Sequence, residues 1–99
     1  IISNNSGVAD CSGSLTPSST NNLISDGSCG ASFSGDPFIG PLGDNGGPTH
    51  THALLLPRSA AVDGGNDSYC SGPGVNGTDQ RGAPRPQDGD GDGVSACDI

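Results

Sequence analysis

The densest run of chemically capable side chains is Asp88-Gly89-Asp90-Gly91-Asp92-Gly93, three carboxylates at alternate positions with only glycine between them. Calcium is a hard cation taking about six to eight oxygen ligands, and an Asp-x-Asp-x-Asp-Gly opening supplies carboxylates from the first, third and fifth positions of a tight loop. The carbonyl of Val94 falls at the seventh position. The twelfth, where a bidentate acid belongs, is Ile99, and the nearest carboxylate is Asp98 just before it. We therefore read Asp88, Asp90, Asp92, Val94 and Asp98 as a shortened calcium loop, closed by Asp98 or by a remote aspartate. The plainer alternative is a solvated acidic linker whose charges repel and extend.

Four cysteines form the second constellation. Cys11 and Cys29 flank one segment, Cys70 and Cys97 another, so nearest-neighbour pairing is the simplest of three connectivities. Each bridge would close a loop of roughly 20 to 30 residues, which the chain-entropy account values at about 3 kcal/mol. Zinc is disfavoured because the spacings do not make paired C-x-x-C knuckles. His50 and His52, two apart on a predicted strand, share a face, which suits either a metal or, more simply, structural hydrogen bonding.

Asp79, Arg81 and Arg85 concentrate opposite charges in "TDQRGAPRP". Arg81 is able to fork onto a carboxylate such as Asp63 or Asp98, pinning this loop beside the second pair of cysteines, and Asp63, Asp79, Arg81 and Arg85 are the expected members of structural ion pairs. A catalytic reading, an arginine base beside calcium, would make the chain a polysaccharide lyase fragment. Against it, Phe33, Phe38 and Tyr69 are scattered singly and offer no sugar platform. The chain has no G-x-S-x-G elbow either. Asn4, Asn66 and Asn76 each head an N-x-[ST] sequon, a weak glycosylation signal.

The elements that must hold these groups are sparse. Of 99 residues only 29% are hydrophobic, which puts a large core out of reach. Gly 18 and Pro 8 push toward disorder, and the even cysteine count pushes back toward a small exported domain held by disulfides. All eleven acidic residues are Asp, the only cations besides histidine are Arg58, Arg81 and Arg85, and the net charge is -8. Such a chain has no means of neutralising nucleic acid, and an anionic membrane would repel it. The longest apolar run, Ala53-Leu54-Leu55-Leu56, is far short of the roughly 18 residues of a membrane helix.

Helix periodicity is missing. "IISNNSG" and "NNLISDG", about twenty residues apart, each set Ile or Leu beside Asn, Ser and Gly, a spacing that suits successive rungs of a β-solenoid. Gly46-Gly47-Pro48 predicts a turn feeding the extended "THTHALLL". The expected fold is all-β and loop-rich: residues 1–35 as terminal rungs and residues 36–99 as a cap carrying the acidic tail.

Taken in order, "NNLISDGSCG", "GDPFIGPLGDNGGPTHTHALLLPRSAAVDGGN", "TDQRGAPRP" and "ACDI" resemble the C-terminal region of bacterial secreted parallel β-helix proteins of the choice-of-anchor Q group. The likeness covers nearly the whole chain. Arg58 and Ala60 stand where that family's pattern has Gly and Pro, which is expected to loosen the turn there. The pattern also runs on through Gly-Ala-Phe-Glu beyond the position of Ile99, which implies a processed or partial chain, or a closing strand supplied by another molecule. The resemblance implies a disulfide-stapled end of a right-handed parallel β-helix, extracellular or on a bacterial cell surface. It implies no reaction.

The expected function is a non-catalytic structural module, stabilised by calcium and able to self-associate, even into a fibre, by strand completion between neighbours. A polysaccharide- or surface-binding adhesin module is the alternative.

Overall fold

The computed structural model describes residues 1–99. Regular structure is brief: strand β1 (Ile39–Gly43), strand β2 (Thr51–Leu54) and one helical turn, α1 (Asp67–Cys70), besides a 3-10 turn at Ser28–Gly30. Of 30 backbone–backbone hydrogen bonds, only 3 lie within helices and strands, so turns and loops carry most of the backbone's polar groups. Glycine and proline density forces this outcome, since neither residue propagates a helix or a central strand.

The first third is a short parallel stack. Ile2 bridges Ile24 and Leu23 bridges Phe33, both in parallel sense. The Ile2 N–H donates to the Leu23 carbonyl (2.9 Å), Ser25 N–H to the Ile2 carbonyl (3.0 Å) and Ile24 N–H to the Phe33 carbonyl (3.1 Å). The two units singled out by their Ile/Leu-with-Asn/Ser/Gly composition therefore do lie side by side. Leu23 and Ile24 are both fully buried, one neighbour on each face of the middle segment. Together with Ala61, Cys70 and Cys97 they make up the apolar core.

A hairpin follows. β1 and β2 pair antiparallel, with Ile39 opposite Leu54, Leu42 opposite His52 and Gly43 opposite Thr51, and a bulge between the first two pairs. The expected Gly46-Gly47-Pro48 turn is present, with φ of +89° and +83° at the two glycines. At Gly47 a side chain is excluded outright, because a Cβ there would sit 2.5 Å from the Arg81 α-carbon. The antiparallel sense departs from a purely parallel stack: seven residues join the two strands, and so short a connection cannot make a parallel crossover.

The turn expected to be loose at Arg58 and Ala60 is pinned instead. Arg58 lies over the Phe38 ring, 5.4 Å from its centroid. Ala60, having the N–H that a proline would lack, donates it to the Asp36 carbonyl at 3.1 Å. Ser59 is buried, its hydroxyl donating to the Pro37 carbonyl and accepting from Ala61 N–H at 3.1 Å.

The chain end returns to this region. Ile99 N–H donates to the Ala61 carbonyl at 2.9 Å, and Gly65 N–H donates to the Cys97 carbonyl. Gly65 must be glycine, since a Cβ would collide with the carbonyl oxygens of Cys97 (2.5 Å) and Asp98 (2.6 Å). Residues 97–99 thus run against residues 61–65, with the Ile99 side chain over Gly64. Helix α1, which the Gly/Asn/Ser-rich composition concealed as loop, is capped by Asn66, whose side chain accepts from Ser68 N–H at 3.0 Å.

Candidate functional site: a carboxylate cluster beside the second disulfide

Both cysteine pairs are bridged in nearest-neighbour order. Cys11–Cys29 spans a Cα–Cα distance of 5.8 Å and Cys70–Cys97 one of 6.7 Å, and no cysteine is free. Zinc ligation by these sulfurs is thereby excluded. Asp67, which lies beside the second bridge, is engaged by the backbone: its Oδ1 accepts the Cys97 N–H at 2.9 Å.

The Cys97 end of that bridge holds Asp98 in place, and Asp98 organises the region. Its Oδ1 accepts the Asp63 N–H at 3.0 Å, across 35 residues of sequence. Its carbonyl accepts from the Arg85 guanidinium. Gly89, the second residue of the acidic run, packs close by: a Cβ there would meet Val62 at 2.8 Å and Asp98 Oδ1 at 3.3 Å. The tail is thereby laid against the segment that contains Asp63.

Within the tail, the carboxylates of Asp88, Asp90 and Asp92 bring one oxygen each to within 4.8 Å of one another, all three side chains being exposed. The loop is wound by its own acids. Asp88 accepts from Gly91 N–H (2.7 Å) and Gly93 N–H (3.1 Å), Asp90 from Asp92 N–H (3.0 Å) and Asp92 from Val94 N–H (2.7 Å). Gly91 and Gly93 take φ of +82° and +92°, the left-handed conformation this winding needs. Such a curl is a route to cation binding, because it turns several carboxylates inward while backbone donors hold their other edges.

Asp63 is the unexpected member. It adopts φ +56°, rare for a residue with a side chain. Its Oδ1 is sealed from solvent and accepts no hydrogen bond. Loss of hydration, reinforced by the charges of Asp90, Asp98, Asp92 and Asp88, pushes its carboxyl above the ordinary value of 3.8.

Asp79 and Arg81 do form an ion pair, and the long-range partners expected for Arg81 are corrected. Arg81 forks onto neither Asp63 nor Asp98 but onto Asp79, two residues before it, through Nε (2.7 Å) and Nη2 (2.6 Å) to Oδ2. Asp79 Oδ1 also accepts the N–H groups of Arg81 (2.8 Å) and Ala83 (2.9 Å), so the pair closes a local turn. Burial works to raise the Asp79 carboxyl, yet these donors and the arginine charge hold it below the ordinary value. Arg85 is not in an ion pair: its guanidinium is spent on a backbone carbonyl. The local partner wins because its geometry needs no long-range ordering.

His52 hydrogen-bonds through Nδ1 to the Gly40 carbonyl at 2.8 Å, a cross-strand contact, while His50 lies outside β2 and is exposed. Of the sequon asparagines, Asn4 and Asn76 are exposed, both with left-handed φ, whereas the Asn66 side chain caps α1. The strand β2, the 79–87 loop and the chain end enclose an open groove of about 520 Å³ to which both Arg81 and Arg85 contribute. No helix is long and apolar enough to cross a membrane. Set against known protein families, curated proteins and solved structures, the chain matches none of them.

Proposed function

We propose that this chain is an extracellular, non-catalytic structural module, the end of a bacterial parallel β-helix, held by two disulfides and a calcium-binding tail, that joins to further strands through its open parallel edge. The observation that carries this reading is the stack of Ile2 on Ile24 and Leu23 on Phe33. In that stack Ile2 spends its N–H and its carbonyl on residues 23–25, and the outward side of the Ile1–Ser3 segment has no strand beside it. Ile1 and Ile2 are 48% and 41% exposed there. An apolar, unpaired edge is what a neighbouring rung or a second molecule would extend by backbone hydrogen bonding.

Two disulfides in so small a domain favour an oxidising compartment, hence secretion or surface display. A structural rather than catalytic role is favoured because the concentrated charges are committed to the backbone and to each other: Arg81 to Asp79, Arg85 to the Asp98 carbonyl, and Asp67 to Cys97 N–H. The tail would take calcium through Asp88, Asp90 and Asp92, neutralising carboxylates that otherwise repel. Self-association is the test. Sedimentation and electron microscopy of the oxidised protein in calcium should show concentration-dependent oligomers or fibres, lost on Ile2→Asp. A wild-type protein that stays monomeric at every concentration, in calcium and in chelator alike, would overturn the assembly role.

A further inference from the structure

We infer that the Asp36–Pro37 peptide bond is a self-cleavage site, at which the Asp36 carboxyl cuts its own chain once and parts residues 1–36 from residues 37–99. This chemistry needs neither the calcium site nor the assembly edge.

Asp36-Pro37 is the one Asp-Pro pair in the sequence. An aspartyl carboxyl can reach its own carbonyl carbon through a five-membered ring, and a proline nitrogen, tertiary in the peptide, leaves as a basic secondary amine. The fold adds to that local chemistry. Asp36 Oδ1 accepts the Phe38 N–H at 2.7 Å, which folds the carboxyl forward across the bond to be broken and leaves Oδ2 without a donor. The carbonyl oxygen of the same bond accepts the Ala60 N–H at 3.1 Å, a fixed donor placed where negative charge develops when that carbon is attacked. On the far side Pro37 is buried and the Ser59 hydroxyl holds its carbonyl, so the leaving half is clamped. Phe38 takes φ +41°, a left-handed conformation rare for a bulky side chain, and strain of this kind gathers at functional sites. The neighbouring segment 58–61 brings one charged group to this turn, Arg58 on the Phe38 ring, and Asp36 itself is exposed to water.

The step balances within the chain and one water. In its acid form Asp36 adds Oδ2 to its own carbonyl carbon, and the carbonyl electron pair moves to the oxygen that faces Ala60 N–H. As this intermediate collapses, the C–N bond breaks with its electrons going to the Pro37 nitrogen, and the carboxyl proton follows them. Asp36 is left as a cyclic anhydride, which water opens to two carboxyl groups. Cys11–Cys29 lies wholly before the cut and Cys70–Cys97 wholly after it, so no covalent bond joins the two parts afterwards. What remains between them is non-covalent, such as the Asn21 side chain on the Gly64 carbonyl at 2.9 Å. Cleavage would thus free the parallel stack from the hairpin and the acidic tail.

Mass spectrometry of the oxidised full chain, kept in mildly acidic buffer and sampled over time without reductant, tests the assignment. Wild type is compared folded and in urea at the same pH, beside Asp36→Ala and, to remove the donor at the carbonyl, Ala60→Pro. The expected result is two products, residues 1–36 and 37–99, whose masses together exceed that of the intact chain by one water. Cleavage should run at least about tenfold faster folded than in urea, be absent in Asp36→Ala and slow at least about tenfold in Ala60→Pro. Hydroxylamine added during the reaction should be captured as a hydroxamate at residue 36. A folded wild type that stays intact, or is cut no faster than in urea, overturns the inference, as does a cut that persists in Asp36→Ala. An unchanged rate in folded Ala60→Pro overturns the part given to the Ala60 N–H. Should either variant fail to fold, the comparison of folded with urea-treated wild type decides alone.

Discussion

The two disulfide regions both use aspartates as acceptors of backbone donors and part ways at one acid, Asp63. Around Cys11–Cys29, Asp10 accepts the Ser25 hydroxyl and the Asn5 N–H (3.1 Å), and Asp26 accepts the N–H groups of Ser28 and Asp10, both at 2.9 Å. These bonds, led by the Ser25 hydroxyl for Asp10 and by Ser28 for Asp26, hold both carboxyls below the ordinary value. Around Cys70–Cys97, Asp63 is pushed the other way, first by loss of hydration and then by the charges of Asp90, Asp98, Asp92 and Asp88. An acid that the chain satisfies with its own donors is a fastener already closed.

Breaking the bridges should have the largest effect. Each closes a loop worth about 3 kcal/mol, so losing both removes a large part of the roughly 5 to 15 kcal/mol that stabilises an ordinary domain. We expect the fully reduced protein to lose its amide dispersion and most of its hydrogen-exchange protection. Replacing Cys70 and Cys97 by Ala should also release Asp98 and abolish any calcium effect on stability. The matching change at Cys11 and Cys29 should leave that effect in place, and equal responses from both would erase the contrast between the regions.

Next in size is the packing of the parallel stack. Leu23 is fully buried, and Leu23→Ala is expected to cost about 2 to 5 kcal/mol in urea unfolding. Loss of exchange protection should begin in residues 1–35. Fully buried side chains of that size occur only here, since Cys97 is the third of the largest and belongs to a disulfide. The first region leans on packing and hydrogen bonds, the second on its bridge and its charges.

A smaller effect, but one with opposite signs, comes from neutralising single acids in calcium-free solution. Asp10→Asn should lower the melting temperature by removing the acceptor of Ser25 and Asn5. Asp63→Asn should raise it by removing one charge from a crowded set. If both variants shift the same way without calcium, the distinction between satisfied and crowded acids is wrong.

The mildest expectation concerns pH. Asp10 and Asp26 have folded-state values below 3.8, so the stability they contribute is present above 3.8 and disappears as pH falls through the lowered values. Acidification into that range should loosen residues 1–35. For Asp63 the sign reverses: without calcium, its contribution is present below 3.8 and lost as pH rises through its raised value. Residue-resolved exchange across the acid range would display both trends in one sample.

Much of the architecture was legible from residue types. The alternate aspartates announced a tight, carboxylate-lined loop by their spacing, and Gly91 and Gly93 take the left-handed φ that winds it. The repeated Ile/Leu units announced stacked segments, and Gly46-Gly47 announced the hairpin turn. Cysteine spacing favoured nearest-neighbour bridges without fixing them. What misled was any question of partner choice over distance. Arg81 looked free to reach Asp63 or Asp98, yet Asp79 captured it through a turn two residues long. Arg58 and Ala60 looked like a weakened turn until Phe38 and the Asp36 carbonyl supplied their contacts. Asn66 capping a four-residue helix was visible in retrospect as an N-cap asparagine followed by an acid, drowned by the glycine and serine around it.

The sequence by itself determined what this protein lacks and what it must use in place of it: with so few apolar residues, covalent bridges and satisfied or neutralised aspartates have to hold it together. It also determined which acids sit in one loop, since neighbours along a chain cannot avoid each other. Only the tertiary structure decided which distant segment Asp98 meets. Asp63 and Asp98 are 35 residues apart, and their meeting depends on Gly65 letting the backbone of Cys97 and Asp98 pass within contact distance and on Gly64 leaving room for the Ile99 side chain. Proximity along the chain is set by local chemistry; proximity across it is set by how backbones can pack, and no residue type declares that in advance.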